Sequence, residues 1–453
     1  MISDKDADLL LLGGTVVTQD SERRVVADGG IAVRDGAIVA IGTAEAIAGA
    51  WTGERLDTSG CVVIPGLINA HQHFTADPIV RCLIPDGIPS QEAIFDWAGP
   101  LHAAVRPEDD ELSALLTAVE CLRYGTTTVI EAGTVAHPER VAAGMARAGL
   151  RGGVGCWGWD QPGLPYAAPA DEVLACQRAV LDAFPAGGLV EGWVTLVGHA
   201  LASDVLLAGA ADLARSHGRR LTFHMSPTEA DVVAYQARSG LRPIQHLDRL
   251  GVLGAHLLLA HAVWMDAAEA ELLLETRTAV AYCPWAYLRL GTGVTRAGRH
   301  AALIARGGRV ALGCDSVNAG DLPDIHRAAS LAVGLARDMT MDHATITAAT
   351  GLDLMTIRGA EAIGMAERIG SIELGKRADL VVHDARGPSW RPMGRHDLTL
   401  VWGTDGRSVR DVLVDGRLVV RGGRSTLVDE AALASEAAEA QHRLLRDAGL
   451  PRV

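Results

Sequence analysis

His71 and His73 close the stretch Val63-Ile64-Pro65-Gly66-Leu67-Ile68-Asn69-Ala70-His71-Gln72-His73-Phe74. In an extended chain, residues two apart point to the same side, so both imidazoles face one point. Imidazole is the commonest protein ligand for zinc and also suits iron and nickel. A lone His-x-His pair is a weak signal. It gains weight because later apolar runs also end on His, Glu or Asp.

Those runs are Val62–Ile68, Thr127–Ile130, Gly152–Trp157, Gly192–Val197, Leu221–Phe223, Leu257–Ala260, Thr278–Tyr282 and Val310–Gly313. Helical spacing fits between them at Asp109–Tyr124, Pro138–Ala148, Ala170–Ala183, Ser203–His217, Thr228–Ser239, Asp266–Glu275 and His300–Arg306. Strands alternating with helices imply a parallel sheet with crossover helices, and eight such units predict an α/β fold of the (β/α)8 TIM-like barrel type. Active sites of such barrels lie at the C-terminal ends of the strands. Read in order, those ends carry His71 with His73, Glu131, Trp157 with Trp159, His199, His224, His261, Cys283 and Asp315. Four of the eight ends hold histidine, although the chain has only 16.

Outside the barrel region the pattern changes. Residues 8–58 read as short strands, with Asp35-Gly36 as a hairpin turn. Strands of the same kind return at 370–372, 378–383, 409–414 and 418–420, with Asp415-Gly416 turning between the last two. Neither set is large enough to be stable alone, so both chain ends are expected to share one small β-sandwich. The expected division is 1–60 and 369–428 for the two parts of the sandwich, 61–368 for the barrel, and 429–453 for a C-terminal helix. The long 74–105 loop is a candidate lid.

The 453 residues are 49% hydrophobic and 21% charged, as in a globular enzyme. The net charge of -14 argues against nucleic acid or an anionic membrane as partner. The early apolar run Leu9–Leu12 is too short for a signal peptide core or a membrane span. Seven scattered cysteines, with no Cys-x-x-Cys, fit reduced thiols in a cytoplasmic protein.

The motif Pro65-Gly66-Leu67-Ile68-Asn69-Ala70-His71-Gln72-His73 resembles the first-strand signature of the amidohydrolase superfamily. Gly125-Thr126-Thr127-Thr128, Leu259-Ala260-His261, Leu312-Gly313-Cys314-Asp315 and the stretch from Ile369 to Leu380 support it. The most similar branch holds cytosine, guanine and S-adenosylhomocysteine deaminases and the triazine hydrolases. The resemblance implies the barrel with a composite sandwich. It implies His71, His73, His224 and Asp315 as metal ligands, His261 and Asp315 as catalytic groups, and His199 as a substrate contact. Three neutral imidazoles and a carboxylate leave a position of the ion open to water, whose pKa falls toward about 7. Superfamily members with two metals usually bridge them through a carboxylated lysine, and residues 6–375 contain no lysine. One divalent ion is therefore expected, zinc first, with iron, manganese or cobalt as alternatives; Glu131 is the remaining candidate for a bridge to a second.

Two departures stand out. In the deaminases a proton-shuttling Glu follows the fifth-strand His by three residues; here that place is Pro227, and Glu229 is the nearest replacement. After the seventh strand, relatives commonly have a His-Asn-Pro-type sequence. Here Tyr282-Cys283-Pro284-Trp285-Ala286-Tyr287 brings aromatic surface. Together with Trp157 and Trp159, Trp285 suggests contact with a flat or apolar substrate. Cys283 and Cys314 read as bystanders.

The expected function is a mononuclear metal-dependent hydrolase attacking a non-peptide carbon–nitrogen bond of a small cyclic or aromatic molecule by metal-bound hydroxide. Deamination and amide-, urea- or carbamate-type cleavage both stay open, as does homo-oligomerisation. The alternative is a non-catalytic small-molecule-binding protein on the same barrel. A Ser-His-Asp hydrolase lacks its Gly-x-Ser-x-Gly elbow.

Overall fold

The computed structural model describes residues 5–89, 92–162, 165–320 and 322–451. The chain begins with β1 (Asp6–Val17), β2 (Val25–Arg34), β3 (Ala37–Thr43), β4 (Thr52–Asp57) and β5 (Cys61–Pro65). β1, β2 and β3 form an antiparallel meander. Its last turn is Asp35-Gly36, with φ of +52° and +73°, the pair of left-handed residues that a type I′ hairpin requires.

Nine parallel strands follow in two sheets. β6 (Leu67–Gln72), β7 (Thr126–Glu131), β8 (Arg151–Val154) and β9 (Val190–Gly192) form the first. β10 (Val194–Gly198), β11 (Leu221–Met225), β12 (Leu257–His261), β13 (Ala279–Tyr282) and β14 (Val310–Leu312) form the second. Neighbours pair in sequence order, as strands joined by crossover helices do. Every residue of β6, β7 and β11 to β14 is buried, so these strands carry apolar side chains on both faces. β9 and β10 are one run interrupted at Trp193, whose amide still donates to Val154 O at 2.8 Å. At the other margin, the amides of Cys314 and Asp315 donate to His71 O at 3.2 and 2.9 Å, tying the end of β14 to β6.

The helices between these strands include Pro107–Arg123, Pro138–Ala148, Ala170–Ala183, Asp204–Ser216, Glu229–Ser239, Ala267–Glu275 and His300–Ala305, each within two residues of the sequence expectation at each end, and the shorter Gly99–Ala104, Pro243–Arg249, Pro284–Arg289 and Val294–Ala297, which fall outside that expectation. Caps explain several starts. Ser203 accepts from Leu206 N, and Asp266 with Glu269 forms a reciprocal capping box. Three further helices follow β14: Ile325–Thr340, Ala348–Met355 and Ile357–Ile363. The first is capped by Asp324, which accepts from His326 N and Arg327 N.

The chain then returns to the first layer with β15 (Leu380–Asp384), β16 (Val409–Val414), β17 (Arg417–Arg421) and β18 (Arg424–Ser425), and ends in the helix Glu430–Asp447. β15 pairs antiparallel with β5, which joins both chain ends into one nine-stranded sheet. Leu11, Ile31 and Val63 pack with Leu380, Val382 and Leu413 in its core. Arg151, at the start of β8 and 2% exposed, bonds Asp379 at 2.7 and 3.1 Å and Asp415 at 2.8 Å. It fastens the parallel strands to the end sheet.

Two expectations need correction. The run Val62–Ile68 is not one strand. It divides at Gly66 into β5, which belongs to the end sheet, and β6, which starts the parallel set. Gly66 packs so closely on Thr127 that a Cβ there would lie 2.0 Å from its Oγ1, so the crossing needs a residue without a side chain. Residues 370–372 are not a strand either; Ile372 makes only a single bond, to Thr18 O at 2.7 Å. Among the described residues, no helix is long and apolar enough to cross a membrane.

Candidate metal centre and active site

β6, β11, β12 and the turn after β14 deliver His71, His73, His224, His261 and Asp315 to one place. The nearest donor atoms of His71, His73 and His224 lie within 4.8 Å of one another, and so do those of His71, His261 and Asp315. Asp315 Oδ1 is 3.7 Å from His71 Nε2 and 3.4 Å from His73 Nε2. All but His73 are fully buried.

The backbone at the strand ends is bent out of the extended form to achieve this. His199, Ser226, His261, Ala262 and Asp315 have φ of +54°, +52°, +77°, +50° and +66°. Left-handed backbone is costly for residues with a side chain and persists where surrounding structure enforces it, commonly at active sites. The enforcing contacts are visible. Asn69 Oδ1 accepts from His71 N at 3.3 Å and Cys314 N at 3.1 Å, and Asn69 Nδ2 donates to Gln72 Oε1 at 2.9 Å. Gln72 Nε2 in turn donates to Asp315 O at 2.6 Å. His300 Nε2 donates to His261 O at 2.7 Å.

The tautomers follow from these partners. His224 Nδ1 donates to Val197 O at 2.6 Å, since a carbonyl only accepts, so Nε2 keeps its lone pair. Nε2 of His224 lies 3.3 Å from Nε2 of His73, whose Nδ1 is 2.9 Å from Thr134 Oγ1. Two ring nitrogens facing each other so closely fit a shared cation. Both ring nitrogens of His71 are buried without a protein partner, an arrangement native structures avoid unless another group is bound. Four N and O donors around one point suit a divalent ion that keeps a fifth position for water. The residues therefore fit the metal that the sequence implied.

Burial dominates the titration of these groups. It holds His71 and His224 well below the ordinary histidine value, and His261 at about 4. For His73 burial is again the largest single influence and pulls the same way, but the bond to Asp315 together with the Asp315, Asp77 and Glu131 charges raises the pKa. Burial alone would raise Asp315; the His73 bond and the His261 and His71 charges hold it well below the carboxylate range. Burial pushes Glu131 up to about 7, against the His73 charge and bonds from the amides of Gly133 and Thr134.

His199 stands beside the cluster, its ring stacked on His224 at 5.3 Å. Its Nδ1 lies 2.9 Å from Asp231 Oδ2, which also accepts from Ser226 N at 2.9 Å. Glu229 is exposed at the first position of its helix, while Asp231, two residues on in the same turn, is buried. The Arg327 guanidinium lies 4.4 Å above the Trp285 ring. Trp159 packs on Trp157 at 5.1 Å. Cys283 and Cys314 are buried thiols whose pKa burial drives well up. The supporting groups Asn69, Gln72, Thr134, Asp231, His102 and His300 were not singled out from sequence. Asn69 and Gln72 lie inside the first-strand motif; the others show no spacing that marks them.

A profile of the Amidohydrolase family matches residues 62–419. The chain belongs to the amidohydrolase family. This amidohydrolase is 34% identical over 417 residues to a 5-methylthioadenosine/S-adenosylhomocysteine deaminase of Syntrophobacter fumaroxidans, covering 91% of this chain and 93% of that one. A zinc-bound adenosine deaminase of Xanthomonas campestris superposes with a TM-score of 0.92 at 28% identity, over 98% of this chain and 99% of that one. The atrazine chlorohydrolase of Arthrobacter aurescens, at 21% identity, shares the fold with a TM-score of 0.87, over 96% of this chain and 100% of that one. The amidohydrolase thus has the TIM-barrel fold of its family. It is a hydrolase of carbon–nitrogen bonds other than peptide bonds, acts on a small molecule and uses a divalent metal.

Proposed function

We propose that this amidohydrolase deaminates an aminated nitrogen heterocycle, with adenosine-type nucleosides as the first substrates to try. The observation that carries the reading is the buried His71, His73, His224, His261 and Asp315 cluster, in a chain related along nearly its whole length to adenosine-type deaminases. His71, His73, His224 and Asp315 are the proposed ligands of a single zinc ion. The absence of lysine from residues 6–375 supports one ion rather than two.

Zinc bound there supplies Lewis acidity that brings the pKa of water down toward about 7. The side chains then have defined tasks. Asp315 takes the proton from the attacking water. His261, kept neutral by burial, donates a hydrogen bond to the oxygen that develops charge. His199, held by Asp231, orients the ring. Delivery of a proton to the departing nitrogen is assigned to Glu229 in the sequence reading, and its exposure favours Asp315 and His261 for that step instead. Trp159 takes part through the aromatic wall, whereas Trp285 under Arg327 is better suited to support the turn after β13.

Pro227 favours a second reading. With no Glu at that place, an amide, urea or carbamate with a better leaving group becomes an alternative substrate. The wider reading keeps the two parallel sheets as one closed (β/α)8 barrel from Leu67 to 368, the curled end sheet as a composite sandwich, and a cytoplasmic protein without nucleic-acid or membrane partners.

The test is a screen of aminated heterocycles against amides and ureas on protein of measured zinc content. About one zinc per chain with ammonia released from a heterocycle is expected. Two tightly held ions would overturn the mononuclear assignment, and release of larger amines alone would replace deamination by the second reading.

A further inference from the structure

Beside the histidine cluster, just beyond the end of β8, Trp157 packs against three other rings. Trp157 contacts His102 at 4.8 Å, Trp159 at 5.1 Å and Tyr166 at 5.1 Å between ring centroids. Two of the four have their polar atoms satisfied by backbone. Trp159 Nε1 donates to Pro165 O at 2.7 Å, and Tyr166 Oη donates to His102 O at 2.7 Å. The other two do not. Trp157 Nε1 and His102 Nδ1 are buried without a protein partner, and each residue is only 7% exposed.

A buried N–H with no acceptor is costly, and buried polar atoms in native proteins are almost always bonded. Packing alone does not account for Trp157, because a phenyl ring would fill such a wall without an orphaned donor. Position links the pair to the reaction. The Trp157 amide donates to Val135 O at 2.7 Å, and the preceding residue, Thr134, contacts His73. His102 lies close enough to His73 and Asp77 for their charges to act on it, and burial keeps it neutral, with a pKa of about 4.

We infer that Trp157 Nε1 and His102 Nδ1 form the polar reading edge of the substrate site, taking the acceptor and the adjacent polar edge of a planar nitrogen heterocycle. The inference rests on the proposed deamination for its substrate class. It adds which residues select the ring. Trp157 Nε1–H donates to a ring nitrogen or ring carbonyl. The neutral His102 ring meets the neighbouring position as donor or acceptor according to its tautomer.

The test compares Trp157→Phe with Trp159→Phe, both zinc-loaded, using adenosine for turnover and inosine for binding by calorimetry. Trp157→Phe removes an unpartnered donor. Its ligand-free Tm should be unchanged or higher, KM for adenosine and Kd for inosine should rise about ten-fold, and kcat should stay within about two-fold. Trp159→Phe strands Pro165 O, so it should lower Tm. His102→Phe should repeat the Trp157→Phe pattern. A Trp157→Phe protein with unchanged KM and Kd, or with a lowered Tm, would overturn the inference. Wild-type protein that turns over no aminated heterocycle would instead end the deamination reading. The Tm contrast between the two tryptophan variants would still report whether Trp157 carries the open donor.

Discussion

Thr134 shows how much one hydroxyl can organise. Its Oγ1 lies 2.9 Å from His73 Nδ1 and 3.4 Å from Glu131 Oε1. With the hydroxyl hydrogen turned to the carboxylate, its oxygen accepts from His73 Nδ1–H, which leaves Nε2 for the ion. Thr134→Val keeps the shape and removes this bond. Loss of such a supporting partner typically costs about 10–100-fold in metal affinity. Competition with a zinc-selective chelator should show that loss, and Thr134→Ser should recover most of it. Equal affinities in the three proteins would show that His73 needs no such support.

At the scale of elements, the site depends on how strands end. Gly198 closes β10 with φ +84°, and a Cβ there would lie 2.2 Å from His224 O. Gly198→Ala therefore forces strain and a clash on the strand that carries a proposed ligand. It should lower both Tm and zinc content, whereas Gly218→Ala, equally left-handed but with open space around it, should lower Tm alone. The entry to β12 carries a pH response. Burial, helped by Arg215 and Arg220, lowers His256 to about 4. The unfolded chain protonates near about 6.5, so the folded state binds fewer protons between those values. Stability from His256 is present above pH 6.5 and should be lost as pH falls toward 4. Thermal melts of His256→Asn should decline less over that window than those of the wild type. Much at this scale was legible in sequence: most helices between the strands match because polar caps and 3.6-residue periodicity are local signals. The division at Gly66 was not, because the run Val62–Ile68 is apolar throughout and only the packing of Thr127 distinguishes its halves. The Asp231–His199 pair was hidden for a similar reason: the two residues sit on different elements, 32 positions apart, and meet only after folding.

Across the whole molecule, Arg151 is the clearest fastening between the parallel strands and the end sheet. Its partners Asp379 and Asp415 come from far along the chain, so no sequence pattern announced it. Removing one member of a buried pair strands the other, at a cost of about 3–5 kcal/mol. Arg151→Met should lower Tm sharply. Arg151→Met combined with Asp379→Leu should regain much of the loss, because the orphaned carboxylate is gone. A single variant as stable as the wild type would mean that the two layers hold together without the pair.

The bonds that tie the turn after β14 to β6 also set an order of manufacture. Gln72 and Asp315 are separated by 243 positions. A ribosome adding about 5–20 residues per second needs about 12–50 s to travel from one to the other. During that interval the growing chain displays His71 and His73 but not Asp315, and its hold on an ion is that of an incomplete set of ligands. The proposed ligand set is thereby complete only once Asp315 has been added.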